Sequence, residues 1–240
     1  MDSLKEKTAL ITGASSGVGR AIALKLAGLG ALVLLVARVP HKLEATASQI
    51  KAAGGSARTF AVDLTDDPAL NHLTETVRKQ LSRLDFLVHS AGLFRLAPVA
   101  TATLQDFDAL FRCNVRAPFA LTQAFLSQLM AAKGAVAFIN STVGAVSHAN
   151  VSQYAATKHA LKAVADTLRL ETSSHGLRVL NVMLGRTATP MQEEVCRLEG
   201  SVYDPTVLLQ PDDVATAIVS ALTLPASAEV TDLYLRPSRK

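Results

Sequence analysis

A tyrosine and a lysine lie four residues apart in the segment SQYAATKHALKAV, which begins at Ser152. In an α-helix this spacing places Tyr154 and Lys158 one turn apart on the same face. A phenol can give or take a proton, and a neighbouring ammonium group favours the phenolate. The pair can therefore act as a general acid or base with its tuning cation, or be an ordinary solvated pair on a helix surface.

Three glycines stand between a predicted strand and a predicted helix in the segment ITGASSGVGRAI. Gly13, Gly17 and Gly19 permit positive φ and a close approach of the backbone to a ligand. The free amides and the positive end of the helix favour a pyrophosphate. The spacing differs from the commonest dinucleotide fingerprint, so the segment indicates either a nucleotide-binding loop or a tight turn of another α/β protein.

The end of the second predicted strand, in LLVARVPHKLE, indicates which dinucleotide would bind. Ala37 stands where an NAD-type site usually has an acidic residue for the ribose 2′-hydroxyl, and Arg38 follows it. Arginine makes bidentate, charge-assisted contacts with phosphate. We therefore expect the cofactor to be NADP(H) rather than NAD(H). Ser16 is a candidate additional contact, and Lys42 is either a further contact or a helix-surface residue.

These candidates need a scaffold in which the ends of several strands meet. Apolar, β-rich runs at 8–12, 31–37, 57–63, 84–90, 134–141, 177–184 and 229–235 alternate with helical patterns at 16–29, 41–53, 68–81, 104–114 and 118–132 and around Tyr154. Consecutive apolar positions such as Leu32 to Val36 are typical of strands covered on both faces. The pattern predicts an α/β fold, a single-domain Rossmann-like doubly wound fold over residues 1–240. Its seven-stranded parallel sheet is flanked by helices, with ligands at the carboxyl ends of the strands.

The composition excludes several other classes of protein. Hydrophobic residues make up 49% of the 240 and charged residues 18%, which argues against extended disorder. The net charge of +4 is spread over 24 basic residues without a basic stripe, so we expect no nucleic-acid partner. The basic end RPSRK is interpreted as a solvated tail.

The location and metal content can also be predicted. The longest apolar run, LAGLGALVLLVA, is too short to span a bilayer, and the charged N-terminal segment is unlike a secretory signal. Cys113 and Cys196 lack metal-ligand spacing and are expected to be reduced thiols. We therefore expect a cytoplasmic protein with no membrane contact and no metal site.

Taken together, the motifs resemble the short-chain dehydrogenase/reductase family over essentially the whole chain. The family's cofactor turn appears as TGASSGVG, its adenine-contact position as Asp63 in VDLTD, and its fourth-strand motif as HSAG. Asn114 in FRCNVRAPF matches the family's structural asparagine, and Ser141 stands thirteen residues before Tyr154 of YAATK. The resemblance implies cofactor contacts at Gly13, Ser15, Ser16, Gly17, Val18, Gly19, Arg38, Asp63, Leu64, Ala91, Gly92, Tyr154, Lys158, Gly185, Thr187 and Thr189.

The resemblance also implies catalytic roles. Tyr154 would exchange a proton with the substrate oxygen, while Lys158 would lower the pKa of the phenol and bind the nicotinamide ribose. Ser141 would orient the carbonyl, with Thr142 as an alternative hydroxyl. Asn114 would help to hold a water that connects Lys158 to solvent, or would serve only as a kink or cap residue.

Two segments depart from the family's pattern. His89 and Ser90 replace two asparagines in HSAG, which puts the usual bracing between strands in doubt. In MLGRTATPM, Leu184 replaces a proline, while Gly185 remains and Thr189 aligns with a threonine expected at the nicotinamide amide. Neither departure removes a proton-transfer residue.

The expected function is that of an NADP(H)-dependent oxidoreductase that interconverts a carbonyl and a secondary alcohol. The alternative is a catalytically weak NADP(H)-binding sensor or scaffold with the same fold. Residues 189–210 are the predicted flap over a small-molecule carbonyl or alcohol substrate, and Leu93, Phe94, Val143 and Gly144 are further candidates for the pocket wall. The resemblance implies a homotetramer or homodimer built on helices near 103–131 and 153–174.

Overall fold

The computed structural model describes residues 4–238, so the first three residues and the last two residues of the basic tail lie outside the described part. The strands are β1 (Thr8–Thr12), β2 (Leu32–Ala37), β3 (Ser56–Ala61), β4 (Phe86–His89), β5 (Ala135–Ser141), β6 (Arg178–Leu184) and β7 (Asp232–Leu235). The helices are α1 (Gly17–Gly28), α2 (Pro40–Ala52), α3 (Asp67–Gln80), α4 (Leu104–Phe111), α5 (Ala117–Ala131), α6 (Ser152–Thr172), α7 (Pro190–Glu199) and α8 (Pro211–Leu222).

All seven strands form one parallel sheet in the order β3-β2-β1-β4-β5-β6-β7, which confirms the predicted fold. The chain builds outward from β1 to β3, then returns to the other side of β1 and builds outward from β4 to β7. The order therefore reverses between β1 and β4. In doubly wound sheets ligands bind in the crevice at this reversal.

The core consists of two apolar layers, one on each face of the sheet. Ile11 of β1 and Leu35 of β2 pack into one layer, while their neighbours Leu10 and Leu34 pack into the other. Successive side chains of a strand point to opposite faces, so strands covered on both faces must be apolar at every position. This is why the unbroken apolar runs in the sequence are strands.

Two strands end earlier than the sequence pattern predicts, and the largest shift in the start of a strand is at β7. β3 ends at Ala61 and β4 at His89, whereas β7 begins at Asp232. At the end of β4, the backbone N–H groups of Ser90 and Ala91 both donate to the Thr12 hydroxyl oxygen at 3.1 Å. These bonds turn the chain out of the sheet, so the residues after β4 become part of a ligand-facing loop.

The two helices predicted at 104–114 and 118–132 are joined by a π-helical turn. This turn covers Arg112–Arg116 and connects α4 to α5 without a loop. Pro118 has no backbone N–H to donate to the carbonyl four residues earlier, which belongs to Asn114, and the wider π-turn accommodates this interruption. Periodicity alone predicts a break at this position because it does not register the slip in hydrogen bonding.

No helix within residues 4–238 is both long enough and apolar enough to span a bilayer.

Candidate active site

A cavity of about 780 Å³ opens at the carboxyl ends of the strands. Eighteen site residues were predicted, and all of them except Gly19 and Asn114 line its wall. The lining members are Gly13, Ser15, Ser16, Gly17, Val18, Arg38, Asp63, Leu64, Ala91, Gly92, Ser141, Tyr154, Lys158, Gly185, Thr187 and Thr189. The tertiary structure therefore brings the glycine turn and the tyrosine–lysine pair into one crevice.

The glycine turn is packed so tightly that side chains would not fit. A Cβ atom on Gly13 would lie 2.8 Å from the Ala91 nitrogen, and Gly13 has a φ of +68°. A Cβ on Gly19 would lie 2.5 Å from the Gly13 carbonyl oxygen. Gly19 therefore acts from behind the cavity wall, where it lets α1 begin close to β1. The amides at the start of α1 are then presented to the cavity, as a phosphate site requires.

Positive charge lies at the ends of β2 and α2. The Arg38 side chain follows β2 and is exposed on the cavity wall, and Lys42 of α2 also lines the wall. Burial alone would raise the pKa of Asp63, but hydrogen bonds from the Thr65 amide and hydroxyl and the charge of Arg38 hold this pKa below its usual value. The donor set fits a nucleotide that carries a phosphate on its ribose.

His89 of the HSAG segment is buried and does not face the cavity. Its Nε2 lies 2.9 Å from the Thr122 hydroxyl, and its ring stacks on Phe138 with centroids 4.9 Å apart. Burial lowers the pKa of His89 to about 3, so the imidazole is neutral. The bracing that asparagines would supply in this motif comes from Thr12, whose hydroxyl holds the turn after β4.

Ser141, Tyr154 and Lys158 form a polar cluster at the β5 end of the cavity. Burial raises the pKa of Tyr154 to about 12, against the opposing effect of a hydrogen bond with Ser141. Lys158 is 5% exposed and its ammonium group donates to the Ile139 carbonyl at 3.1 Å. Its Nζ lies 5.6 Å from the centre of the Tyr154 ring, and burial lowers the pKa of Lys158 to about 8. Lys158 was expected to lower the pKa of Tyr154. In the protein alone, the effect of burial is larger and raises this pKa.

Asn114 lies in the π-helical turn behind this cluster. Its Oδ1 accepts from the Leu93 amide at 2.8 Å, and its Nδ2 donates to the Leu93 carbonyl at 3.0 Å and to the Thr157 hydroxyl at 3.1 Å. Asn114 therefore ties the loop after β4 to α6, next to Lys158. π-turns inside helices are often found at functional sites.

Asn140 makes a second connection to Lys158, and the sequence patterns do not predict it. Its Nδ2 donates to the Lys158 carbonyl and to Asn181 Oδ1, both at 3.1 Å, and its Oδ1 accepts from the Ser141 amide at 2.8 Å. The Asn181 amide in turn donates to Asp232 at 2.9 Å. This buried network fixes α6 against β5, β6 and β7, and so fixes the position of Lys158 relative to Ser141.

The loop after β6 and the following helix cover the other side of the cavity. Thr189 caps α7 by accepting from the Gln192 amide at 3.2 Å, and a Cβ on Gly17 would lie 2.9 Å from Thr189 Cγ2. Within the loop, Arg186 donates to both carboxylate oxygens of Glu199 at 2.9 and 2.8 Å. The predicted flap thus begins with a helix that reaches the glycine turn.

A protein-family model described as short chain dehydrogenase matches residues 7–199. The chain belongs to the short chain dehydrogenase family. Among its relatives is an uncharacterized oxidoreductase of Staphylococcus epidermidis. The two proteins are 29% identical over 238 residues, which cover 99% of this chain and 100% of that protein. The resemblance found in the sequence is therefore confirmed.

Solved structures of similar proteins share the fold along nearly the whole chain. A metagenomic short-chain oxidoreductase in complex with NADP is 33% identical, with a TM-score of 0.86 and full coverage of both chains. An alcohol dehydrogenase from the archaeon Thermococcus sibiricus, complexed with 5-hydroxy-NADP, is 26% identical, with a TM-score of 0.88, and covers 98% of this chain and 97% of that chain.

Some cavity residues of this short chain dehydrogenase were not predicted from its sequence. They are Leu96, Cys113, Asn140 and Arg186. Gly144 was predicted to line the pocket but is buried behind it, where a Cβ would lie 3.0 Å from the Lys158 carbonyl oxygen. Arg186 and Glu199 are thirteen residues apart, and no local pattern pairs them.

Proposed function

We propose that this protein is an NADP(H)-dependent oxidoreductase that interconverts a carbonyl and a secondary alcohol. The observation that carries the proposal is a single cavity with two different ends. The glycine turn and Arg38 line one end, and the hydrogen-bonded Ser141–Tyr154 pair lies at the other end, next to Lys158. β2 and β5 are three strands apart in the sheet, so the two ends are separated by roughly 14 Å. An extended dinucleotide can bridge such a distance.

Several observations support NADP(H) as the cofactor. The exposed guanidinium of Arg38 and the ammonium of Lys42 stand near the place of the ribose 2′-phosphate, and Ala37 supplies no competing carboxylate. The similar metagenomic and archaeal proteins were crystallised with NADP and 5-hydroxy-NADP. Asp63 and Leu64 are proposed to contact the adenine, and Gly185, Thr187 and Thr189 the nicotinamide end.

The proposed chemistry divides between the cofactor and the side chains. When bound, NADP(H) would supply the hydride chemistry, to the carbonyl carbon in reduction and from the alcohol carbon in oxidation. Tyr154 donates the phenolic proton to the carbonyl oxygen in reduction and takes the hydroxyl proton in oxidation. Because burial keeps the phenol protonated, the chain by itself favours the proton-donating form of Tyr154.

The neighbours of Tyr154 have supporting roles in this proposal. Ser141 shares a hydrogen bond with Tyr154 and would orient the substrate oxygen. Lys158 would bind the nicotinamide ribose and return a proton to Tyr154. Asn114 would help to hold a water between Lys158 and solvent, and its contacts with Leu93 and Thr157 fix its side chain for that task.

Residues 189–210 are proposed to be the substrate flap. Met191, Gln192 and Val195 of α7 line the cavity, and the flap ends just before α8. We propose that it closes over the bound substrate and excludes water from the Tyr154 hydroxyl. The substrate is then a small carbonyl or alcohol compound.

NADPH consumption with a panel of diketones and aldehydes tests the proposal. Tyr154→Phe should lower kcat by about 100- to 10,000-fold because the proton donor is lost, while NADPH still binds. Tyr234→Phe is the matched control, since Tyr234 is exposed on β7 and is outside the cavity wall. Tight NADPH binding without turnover of any carbonyl would favour the sensor or scaffold function instead.

We also propose that the protein is a homodimer or homotetramer that works in the cytoplasm. Leu104 of α4 and Phe119 of α5 are exposed by 82% and 52%, and such apolar side chains are typical of an interface between copies. Both cysteines are buried free thiols, which suits a reducing compartment. Light scattering after size-exclusion chromatography measures the number of copies, and a monomeric mass at micromolar concentration would refute the assembly.

A further inference from the structure

The cavity has two halves with different chemistry. The phosphate half is lined by residues that follow β1, β2 and β3, and it contains Arg38 and Lys42. The substrate half is lined by residues that follow β4, β5 and β6. Its wall contains a group of apolar side chains, namely Leu93, Phe94, Leu96, Val143, Met191 and Val195, beside polar residues such as Thr142 and Gln192. This apolar part of the wall favours apolar groups of a substrate.

An aromatic ring directly borders the proposed acid. Phe94 contacts Tyr154 edge to face, with ring centroids 5.0 Å apart and an interplanar angle of 68°. Met191 of α7 extends to the loop after β4, where its Cε lies 3.9 Å from the position of a Cβ on Gly92. The loop after β4 thus contacts both Tyr154 and α7, and a charged group placed against Phe94 and Met191 would lose its water without gaining a charged partner from these two side chains.

An anionic substrate would need a free cation in the substrate half. Among the described lining residues of that half, Lys158 and Arg186 are the lysine and arginine side chains. Lys158 donates to the Ile139 carbonyl behind Tyr154. Arg186 stands two residues after Leu184, the cross-strand partner of Ser141, but its guanidinium donates to both oxygens of Glu199. Both contacts come from the Nη2 nitrogen of Arg186, so the carboxylate of Glu199 lies directly against this cation.

We infer that the substrate is a neutral carbonyl compound whose larger substituent is apolar, such as an aryl or medium-chain alkyl ketone or aldehyde. Glu199 sets this preference by holding Arg186, so that carboxylates and phosphates find no unpaired guanidinium in the substrate half. His148, in the loop after β5, and Cys113 are further titratable side chains that line the cavity. The inference rests on the proposed oxidoreductase function and specifies its substrate class.

Matched ketones test the substrate class with the wild-type protein and NADPH. Methyl para-acetylbenzoate and para-acetylbenzoate share one ring and one ketone and differ in a single negative charge. We expect kcat/KM to be at least about tenfold higher for the ester, and at least about tenfold higher for benzylacetone than for dihydroxyacetone. Higher values for the carboxylate or for dihydroxyacetone would overturn the inferred class while leaving the oxidoreductase function in place.

Glu199→Gln tests the role of the ion pair. Freeing Arg186 should raise the ratio of kcat/KM for the carboxylate to kcat/KM for the ester about tenfold above the wild-type ratio. Glu194→Gln is the matched control, because Glu194 is on the same helix and pairs with Arg197 away from the cavity wall. This control should keep the ratio within about twofold of the wild-type value.

The outcomes separate the two proposals. An unchanged ratio in Glu199→Gln, or an equal change in both variants, would overturn the role of Glu199. Arg186→Gln provides a second measurement, since it leaves Glu199 without a partner and should lower the ratio further. Turnover of no carbonyl at all, with NADPH bound, would overturn the proposed function and the substrate class with it.

Discussion

Replacing His89 by asparagine should change how the stability of the protein depends on pH. His89 is 2% exposed, its Nδ1 has no hydrogen-bond partner, and its surroundings are the Phe138 ring and the Thr122 hydroxyl. A proton on this ring would be a buried charge without a counter-charge. Burial accordingly lowers the pKa of His89 from 6.5 to about 3.

The sign and size of the effect follow from proton linkage. The unfolded chain binds a proton at His89 below its unfolded pKa of 6.5, whereas the folded chain does so only near pH 3. The stabilisation is therefore fully present above pH 6.5 and is lost progressively as pH falls toward the folded pKa. Between about pH 7.5 and about pH 5 the loss spans roughly 1.5 pKa units, which corresponds to about 2 kcal/mol in the free energy of unfolding.

Urea unfolding at the two pH values measures this effect. The asparagine variant will be less stable at both, since it fills less of the site, but the comparison uses only the change with pH. All other titratable groups are common to both chains and cancel in the difference. The wild type should lose about 2 kcal/mol more than His89→Asn over this interval. An equal loss in the two proteins would refute the neutral, buried state of His89.

The remaining predictions concern the cofactor end and the positioning of Lys158. Arg38→Asp should lower kcat/KM for NADPH by about 10- to 100-fold and raise kcat/KM for NADH, because a charge-assisted contact with the 2′-phosphate is lost. Equal kcat/KM values for the two cofactors in the wild type would contradict the role of Arg38. Gly19→Ala should prevent NADPH binding in a calorimetric titration, since its Cβ would lie 2.5 Å from a backbone oxygen. Gly28→Ala is its control, with no atom within 4 Å of the added carbon, and should be neutral or stabilising by up to about 1 kcal/mol. Asn140→Ala should lower the free energy of unfolding by about 1–3 kcal/mol, because the Ser141 amide and Asn181 lose a buried partner. It should also lower kcat, because the Lys158 carbonyl loses its bond to Asn140 and Lys158 shifts. A kcat equal to that of the wild type would show that this network is not needed to position Lys158.

The sequence was sufficient to predict the sheet and the order of its elements. Strands covered on both faces require apolar residues at consecutive positions, and helices require a different period, so the alternation is visible locally. The bounds of β4 were wrong because the bond from Ser90 to Thr12 joins residues 78 apart in the chain. The join between α4 and α5 was wrong because a π-turn changes hydrogen bonding without changing the apolar pattern.

The candidate site was predictable where its residues are close in sequence. Tyr154 and Lys158 share one helix, and the glycines share one turn, so spacing alone suggested their chemistry. Asn140 was not predicted, because the atoms it bonds belong to residues 18 and 41 positions away as well as to its neighbour.

Sequence by itself determined the fold class, and it indicated a glycine turn suited to a phosphate and a tyrosine–lysine pair on one helical face, because each depends on the order of residues within one element or one turn. Tertiary structure decided which charges remain free and which groups lose their water. Burial shifts the pKa values of Tyr154 and His89, and Arg186 pairs with Glu199 at the cavity wall. These properties depend on distances between elements that are far apart in the chain, and the packing of the sheet and helices fixes those distances.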